Sequence, residues 1–300
     1  MQTRIVDPPD EGENVAGQPK GNALVVPPAQ ELEDIEFRLL LDAIISYYGF
    51  NFRDYTSPAF RGKVRSFMAK ENIAHVSGLI ERLLHSSSSF EKFLYLLSDK
   101  PDILFNHPAY ITAFRTIVVP ILRTYPYLRF WLPCCGRGEE AYSLAILLKE
   151  EGLYERSTLY ATDISETMLA EAQAGEFDAA LIPLLQKNYA AGGYKKSFED
   201  YYEVVRGRLI MPPELKKNIF FAQHNLATDG SFNEFHVIIC REKMKDLSEI
   251  LQRRIQCLFR DSLVRLGVLW TGATDHLGPL GCQDDYHELG ETLKIFRKLR

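Results

Sequence analysis

Apolar residues recur at every third or fourth position through residues 31–122 and predict an N-terminal helical domain with its linker. Residues 1–30 are rich in proline, glycine and acids and predict a flexible tail, because they can bury little apolar surface. Ser57 and Pro58 are typical of a helix start, whereas the serine run at 85–90 predicts a loop. Further helices are predicted at 76–84, 90–97 and 109–122.

After residue 122, strand-like runs alternate with helical segments. The strand-like runs are YLRFWLP, STLYATDI, NIFFAQHNL, FHVIICRE and VLWTGAT, and a long helix is predicted at 247–267 before the last of them. This alternation predicts an α/β fold with a doubly wound, mostly parallel sheet over residues 123–300. Residues 188–211 interrupt it with aromatic, strand-like residues around an Arg-Gly pair, and they predict a small inserted β region.

Composition and charge argue against several classes of protein. The net charge of −5 does not provide the basic face that phosphate groups need, so no nucleic-acid partner is expected. Five cysteines without a Cys-x-x-Cys pair predict reduced thiols in a cytoplasmic protein, with no zinc or disulfide framework. The apolar runs are far shorter than the roughly 20 residues that cross a bilayer, so no membrane insertion is expected. We also expect a monomer.

The turn between the first strand and its helix indicates a ligand site. Gly136 and Gly138 let the backbone approach a ligand, and Glu139 and Glu140 place two negative charges at the helix N-terminus. These acids repel phosphate, so a dinucleotide is not expected, and they favour a sulfonium or an amine. Asp163 ends the second strand, where a carboxylate can bind the two hydroxyl groups of a ribose. The two acidic strand ends together predict an S-adenosylmethionine site.

Structural interpretations of the same residues stay open. Acids such as Glu139 and Glu140 more commonly just interact with the helix dipole, and Asp163 is nearly as compatible with a cap of the next helix. Cys134 and Cys135, in the same turn, are predicted to pack rather than to react.

Several segments together resemble the chemotaxis-receptor methyltransferase (CheR) family over residues 31–297. They are RGKVRSFM behind YYGFNFRDYT, PCCGRGEEAYSLAILLKEEGLY, YATDISETMLAEAQAGEF and FFAQHNLATDGSFNEFHVIICR. The resemblance implies an N-terminal helical domain and a class I methyltransferase domain that binds S-adenosylmethionine and leaves S-adenosylhomocysteine. It also implies a β subdomain at 188–211, and methyl transfer to a glutamate side chain of a helical receptor or other signalling protein.

On the cofactor side, the family pattern is present. Glu140, with Glu139 as the alternative, matches the acid after the glycine turn, and Asp163 matches the acid that binds the ribose. The Asn-Leu pair near the adenine is also present. The residues implied to bind the cofactor are Gly136, Gly138, Glu139, Glu140, Asp163, Ile164, Asn225 and Leu226.

On the catalytic side, the pattern is changed. Asn106 stands where the family has its active-site arginine, Glu242 replaces the asparagine beside the cofactor, and Asp246 replaces a tyrosine. A guanidinium can hold an incoming carboxylate in a bidentate pair, which an amide cannot match, and two added carboxylates repel it. The catalytic residues are therefore left unassigned.

Three functions stay open on this basis. The first is a CheR-type carboxyl (glutamate) O-methyltransferase with impaired activity. The second is an inactive module that binds S-adenosylmethionine or S-adenosylhomocysteine and docks a signalling partner. The third is a methyltransferase with a cationic or neutral acceptor.

A basic set on the second predicted helix offers a docking surface for the partner. Arg61, Lys63, Arg65 and Lys70 resemble the basic helix with which the family meets an acidic receptor. A solvated helix face is the alternative interpretation, and Gly62 interrupts the pattern.

Overall fold

The computed structural model describes residues 29–55, 58–98, 103–244, 247–272, 285–290 and 292–300. The tail predicted at 1–30 lies outside these ranges except for its last two residues, which begin the first helix. Asp246 also lies outside them. Among the described residues, no helix combines the length and the apolar character needed to span a membrane.

Within the described residues up to 98, four helices form the N-terminal part of the structure. Their apolar faces share one buried cluster that includes Leu40, Leu79 and Phe93. The helices are α1 (Ala29–Tyr48), α2 (Pro58–Lys70), α3 (Val76–His85) and α4 (Ser87–Ser98).

The predicted loop at 85–90 is wrong, because α4 already begins at Ser87. The Ser86 hydroxyl accepts a hydrogen bond from the Ser89 N–H at 3.2 Å. A serine in this position satisfies one of the backbone donors that a helix start leaves open, so a serine run can begin a helix as well as form a loop.

A bent helical segment joins the two parts of the chain. It consists of α5 (Pro108–Ala113), a π-helical turn (Phe114–Val118) and α6 (Val119–Leu122). Pro120 lacks the N–H that would continue a regular α-helical ladder, which favours a local change of helix type. The segment packs over the sheet through buried residues such as Phe114 and Leu122.

The C-terminal part contains a seven-stranded sheet in the order β6-β2-β1-β7-β8-β10-β9. The first five strands in this order are parallel, and β10 is antiparallel to both of its neighbours. This confirms the predicted α/β fold with a mostly parallel sheet. The strands are β1 (Leu128–Pro133), β2 (Ser157–Asp163), β6 (Ile219–Gln223), β7 (Phe235–Ile239), β8 (Leu263–Trp270), β9 (Tyr286–Gly290) and β10 (Ile295–Lys298).

Strand β1 is the point where the strand order reverses, since β2 lies on one side of it and β7 on the other. A crevice opens at the carboxyl end of such a strand, because the connections leave in opposite directions. The helices that cross from strand to strand are α7 (Glu139–Glu150), α8 (Glu166–Ala174), α10 (Pro213–Lys216) and α11 (Glu249–Ser262).

Helix α11 is shorter than the predicted helix at 247–267. Strand β8 starts at Leu263, which pairs with Phe235 of β7. The strand's later residues, such as Leu269 and Trp270, are buried in the sheet. Pairing with a buried neighbour therefore overrides the helical periodicity of the sequence.

A small antiparallel sheet lies where the β region at 188–211 was expected, but it begins earlier. Its order is β3-β5-β4, and Phe177 of its first strand lies opposite the buried Leu209. Residues 188–191 are helical instead, because they end helix α9 (Ile182–Ala191). The strands are β3 (Glu176–Asp178), β4 (Glu203–Val205) and β5 (Arg208–Ile210).

Candidate active site

The turn after β1 brings backbone N–H groups and two carboxylates together. Gly136 and Gly138 have φ angles of 56° and 87°, in the left-handed region that favours glycine. A Cβ on Gly138 would lie 3.2 Å from the Ala172 Cβ, so α8 also packs closely on this turn. The Gly136 N–H donates to Asp163 Oδ2 at 3.0 Å. The turn is thus held directly by the carboxylate at the end of β2.

Asp163 is buried and fixed by two backbone donors. Its second oxygen, Oδ1, accepts the Ser165 N–H at 3.2 Å, and only 4% of the residue is exposed. A carboxylate oxygen can accept more than one hydrogen bond. Asp163 can therefore hold the turn and bind hydroxyl groups of a ligand at the same time.

The structure separates the two glutamates after the turn. Glu139 Oε2 lies 3.9 Å from the position of a Cβ on Gly136, the residue whose N–H donates to Asp163. Glu140 instead forms an ion pair with Arg241, just beyond the end of β7. The expectation that Glu140 shares a pocket with Asp163 is therefore not met, and Glu139 is not part of the lining of either pocket.

Of the two pockets whose walls include site residues predicted from the sequence, the larger lies at the boundary between the helical part and the sheet. It encloses about 960 Å³ of empty space, part of it open to solvent, and Asp163 is in its wall. The rest of the wall is mostly apolar and comes from both parts of the chain. These residues include Phe52, Tyr55, Phe60, Ile164, Leu226 and Met244.

The segment after β6 forms another side of the larger pocket. Leu226 lines it, whereas Asn225 shapes the backbone, because its Oδ1 accepts the Ala227 N–H at 2.9 Å. The ring of His224 is also part of the wall. Its Nδ1 is buried and has no hydrogen-bond partner among the residues that the structure describes.

The smaller pocket, with about 430 Å³ of empty space, is lined in part by α7 and contains one of the altered catalytic positions, Asn106. Asn106 and Glu140 line it together with Arg241. The Arg241 guanidinium lies 4.5 Å from the centroid of the Tyr110 ring and 5.5 Å from that of Trp270. Aromatic faces and an ion pair therefore hold this cation.

Glu242 lies beside the smaller pocket. Its Oε1 is 3.5 Å from the Tyr110 hydroxyl, and a Cβ on Gly272 would lie only 2.7 Å from it. The Glu242 side chain therefore occupies space that is open only because residue 272 is a glycine without a Cβ. It brings a second carboxylate close to the Arg241–Glu140 pair.

Sequence reasoning missed Arg241. It noted that Asn106 removes a guanidinium, but the structure supplies another from the opposite wall of the same pocket. The available signal was a single arginine directly after the apolar run FHVIIC, at the edge where ligands bind.

The predicted basic docking set divides into different environments. Arg61 and Arg65 form ion pairs with Asp34 and Glu33 of α1. Lys63 donates to the Leu97 carbonyl oxygen at 2.6 Å and lines the larger pocket. The remaining member, Lys70, is exposed in the last turn of α2.

The cysteines of the turn carry no sign of reactivity. Burial, with smaller contributions from Asp163 and Cys134, raises the pKa of the Cys135 thiol well above its ordinary value. A protonated thiol is a poor nucleophile, so Cys135 acts in packing. Among the described residues, no three His, Cys, Asp or Glu side chains are arranged to hold a metal ion.

The larger pocket fits the cofactor expected from the sequence. It offers a fixed carboxylate for ribose hydroxyl groups, apolar walls for a base, and a buried nitrogen, His224 Nδ1, that lacks a partner in the described structure. Glu139 is not part of the pocket wall, but its Oε2 lies near the glycine turn, 3.9 Å from the position of a Cβ on Gly136. A cationic arm attached to the ribose is compatible with that second acid.

Comparison with known proteins gives the same assignment. Residues 103–294, almost two thirds of the chain, match the family model described as CheR methyltransferase, SAM binding domain. The chain is 36% identical to the putative methyltransferase Cher3 of Pseudomonas putida over 265 residues, 88% of this chain and 97% of that protein. It is 24% identical to a chemotaxis protein methyltransferase of Listeria innocua over 74% of this chain and 83% of that protein.

Solved structures are more distant. The glycopeptide N-methyltransferase MtfA complexed with sinefungin has a TM-score of 0.35 and 14% identity, and the match covers 59% of this chain and 53% of that one. This likeness is too slight to carry an argument. The family match and the extent of the Pseudomonas relative are sufficient: the chain belongs to the CheR methyltransferase family, and S-adenosylmethionine is its cofactor.

Proposed function

We propose that the protein is a protein carboxyl methyltransferase of the CheR type that acts slowly on glutamate side chains of a chemoreceptor-like signalling protein. The observation that carries this proposal is the Arg241–Glu140 ion pair in the smaller pocket, beside Asn106. It provides a guanidinium of the kind that binds a carboxylate acceptor, but this guanidinium is already engaged by the protein.

In the proposed site, the larger pocket holds the cofactor. Asp163 binds the ribose hydroxyl groups, Ile164 and Leu226 pack against the base, and Glu139 faces the sulfonium arm across Gly136. When bound, S-adenosylmethionine supplies the methyl group that an acceptor carboxylate oxygen takes up by in-line displacement. Because a carboxylate is already ionised at neutral pH, the protein has mainly to position it.

The smaller pocket limits the reaction because it makes the acceptor carboxylate harder to position. The side chains of Arg241 and Glu140 are only 14% and 12% exposed, and breaking a buried pair by removing one partner costs about 3–5 kcal/mol. Glu140 already balances the charge of Arg241, and Glu242 adds a second carboxylate that repels an acceptor carboxylate. A reduced rate of transfer is the expected consequence.

Docking of the partner is proposed for the exposed cations of α2. Arg65, whose side chain is 54% exposed, and Lys70 are the members of the basic set that an acidic helix can reach. The cytoplasmic location and the monomeric state remain predictions from the sequence.

The test is methyl transfer from labelled S-adenosylmethionine to cytoplasmic receptor fragments, with Asp163→Ala as the inactive control. We expect slow labelling that mild base releases as methanol, because esters are hydrolysed by base. Label that is stable to base would point to an amine acceptor and overturn the proposal. Labelling no faster than that of the Asp163→Ala variant would do the same.

A second candidate function is a non-catalytic module that binds the cofactor and docks a partner. The ion pair in the smaller pocket favours it, since Glu140 already balances the charge of the Arg241 guanidinium. Its signature would be tight binding of S-adenosylhomocysteine together with no turnover on any receptor fragment.

A further inference from the structure

The loop that carries Asn106 has an unfavourable backbone conformation on both sides of this residue. Phe105 and His107 have φ angles of 58° and 59°, in the left-handed region that residues other than glycine rarely adopt. Conformations of this kind persist only where the surrounding structure holds them, and they cluster at functional sites. Asn106 therefore owes its place in the wall of the smaller pocket to the contacts of its neighbours.

Three aromatic rings enclose the ring of Phe105 and form an aromatic cage (Tyr189, Tyr194 and Phe198). Phe105 is only 1% exposed. Its ring centroid lies 5.0 Å from those of Tyr189 and Phe198 and 5.2 Å from that of Tyr194, each in an edge-to-face arrangement. Pairs of this kind have a preferred geometry, so the cage fixes the ring as well as burying it.

The cage belongs to the inserted region, residues 176–210, which runs from the start of β3 to the end of β5. Among the residues that line the smaller pocket, none comes from this region. Any influence of the inserted region on the pocket wall must therefore pass through another residue, and Phe105 is in contact with both.

The backbone of Phe105 is held from a different direction. Its N–H donates to Ser143 Oγ at 2.9 Å, and the Ser143 hydroxyl group donates to the Glu139 carbonyl oxygen at 2.7 Å. Ser143 is part of α7 and lines the smaller pocket. The loop is thus held by α7 through its backbone and by the inserted region through the Phe105 ring.

The cage is itself attached to the C-terminal end of α7. Tyr189 and Tyr194 stack with ring centroids 4.2 Å apart, and the Tyr189 hydroxyl group donates to Glu150 at 2.6 Å. Arg115 donates to the Gly192 carbonyl oxygen at 3.0 Å and pairs with Glu150 at 2.9 Å. Because both ends of α7 take part, the cage and the loop are referred to the same rigid helix.

We propose that Phe105 is a positioning residue through which the inserted region fixes Asn106 in the wall of the smaller pocket. The inserted region then shapes the acceptor site without lining it. If Phe105 were only one more ring of the core, the loop would keep its conformation when the cage is altered. The proposal rests on the role proposed above for the smaller pocket, but its first test does not require methyl transfer.

Two substitutions of the half-buried Tyr194 separate its ring from its hydroxyl group. Tyr194→Leu removes one ring of the cage and leaves the sequence of the loop unchanged. Tyr194→Phe keeps the ring and removes a hydroxyl group that lies 3.5 Å from the Ser143 carbonyl oxygen. Phe93→Leu is the matched control, because Phe93 is fully buried and edge-to-face with Phe67 at 5.4 Å, but lines neither of the two pockets.

The first measurement is hydrogen exchange of the backbone amides of residues 103–107 in the free protein. We expect exchange to be about tenfold faster in Tyr194→Leu, because an edge-to-face contact that holds the loop is lost. Tyr194→Phe and Phe93→Leu should leave these amides unchanged. Unchanged exchange of the loop in Tyr194→Leu, or an increase that β1 shares equally, would overturn the proposal.

Phe105→Leu removes the same contacts from the side of the loop. It should also make exchange of residues 103–107 faster, and the double variant Phe105→Leu with Tyr194→Leu should exchange no faster than Phe105→Leu alone, since both changes act on one contact. Additive effects of the two substitutions would show that the cage acts on the loop by another route and would contradict the proposal.

The second measurement is the rate of methyl transfer to receptor fragments. Tyr194→Leu should lower kcat/KM for the fragment by about tenfold while the calorimetric affinity for S-adenosylhomocysteine is unchanged, because only the positioning of the acceptor is affected. Phe93→Leu should change neither. An unchanged kcat/KM in Tyr194→Leu would overturn the proposal. If the unaltered protein transfers no methyl group, the proposed function fails, and hydrogen exchange alone decides whether the cage positions the loop.

Discussion

The larger and the smaller pocket differ in how far the protein satisfies its own polar groups. In the larger pocket, the walls are mostly apolar and His224 Nδ1 lacks a partner in the described structure. In the smaller pocket, Arg241 is paired with Glu140 and stacked on Tyr110. A ligand in the larger pocket meets mostly apolar walls and the Asp163 carboxylate, whereas a carboxylate in the smaller pocket meets a cation whose charge Glu140 already balances.

This difference separates binding from transfer. Tight binding of the cofactor needs only the larger pocket, but positioning of the acceptor needs the smaller one. A family member can therefore keep its cofactor while its rate of transfer falls. The following predictions test whether the two pockets behave as different environments.

The largest effect should come from breaking the pair in the smaller pocket. Glu140→Gln leaves the buried Arg241 guanidinium without its counter-charge, so we expect the free energy of unfolding to fall by about 3 kcal/mol. Chemical denaturation measures it. Glu155→Gln is the matched control, because Glu155 pairs with Lys217 on the surface at 2.7 Å, and such pairs contribute at most about 1 kcal/mol. Equal losses in the two variants would show that the smaller pocket is not a special environment.

The next effect concerns the larger pocket. Asp163→Ala removes the group proposed to bind the ribose, and we expect affinity for S-adenosylhomocysteine to fall by about a hundredfold, measured by calorimetry. Asp178→Ala provides the control, since Asp178 also accepts a backbone N–H two residues later, from Ala180 at 2.9 Å, but lies outside both pockets. Binding that is unchanged in Asp163→Ala would contradict the proposed cofactor site.

A smaller gain is expected from adding a cation to the smaller pocket. In Asn106→Arg, either arginine can pair with Glu140 and leave the other for an acceptor carboxylate, so ester formation should rise by about tenfold. Initial rates with labelled cofactor measure it. Asn188→Arg, at a half-buried asparagine of α9, controls for added charge. If Asn106→Arg does not raise the rate of ester formation, the result would favour the non-catalytic module.

The smallest expected effect concerns His236 and the pH dependence of the free energy of unfolding. Burial, more than the nearby Arg129, lowers the pKa of His236 below 6.5. A histidine with a lowered pKa binds fewer protons in the folded state, so its contribution to stability is complete above pH 6.5 and is lost as the pH falls through the folded-state pKa. His236→Asn, which keeps an acceptor for Arg129, should make the free energy of unfolding less dependent on pH between about 7 and 5. Denaturation at several pH values measures this, and an unchanged pH dependence would contradict it.

Much of the site could be predicted from local sequence. The positions of Gly136, Glu139 and Asp163 follow from short patterns in which a buried strand ends and a helix begins. The doubly wound sheet follows from the same alternation, and the structure confirms it. Local patterns were less reliable for segments whose composition is typical both of a loop and of a helix start. Ser87, for example, lies in a predicted loop but begins the first turn of α4.

The sequence by itself determined that two acids follow the glycine turn, and that another acid ends the neighbouring strand. Only the tertiary structure decided that Glu140 lines the smaller pocket and that Asp163 lines the larger one. Consecutive residues of a helix point about 100° apart, so Glu139 and Glu140 cannot both face the turn. The rotation of α7 about its axis is set by its packing on the sheet. The cation that pairs with Glu140 is Arg241, which lies 101 positions away in the sequence. A contact at such a separation depends on the whole fold, which is why no local pattern could show it.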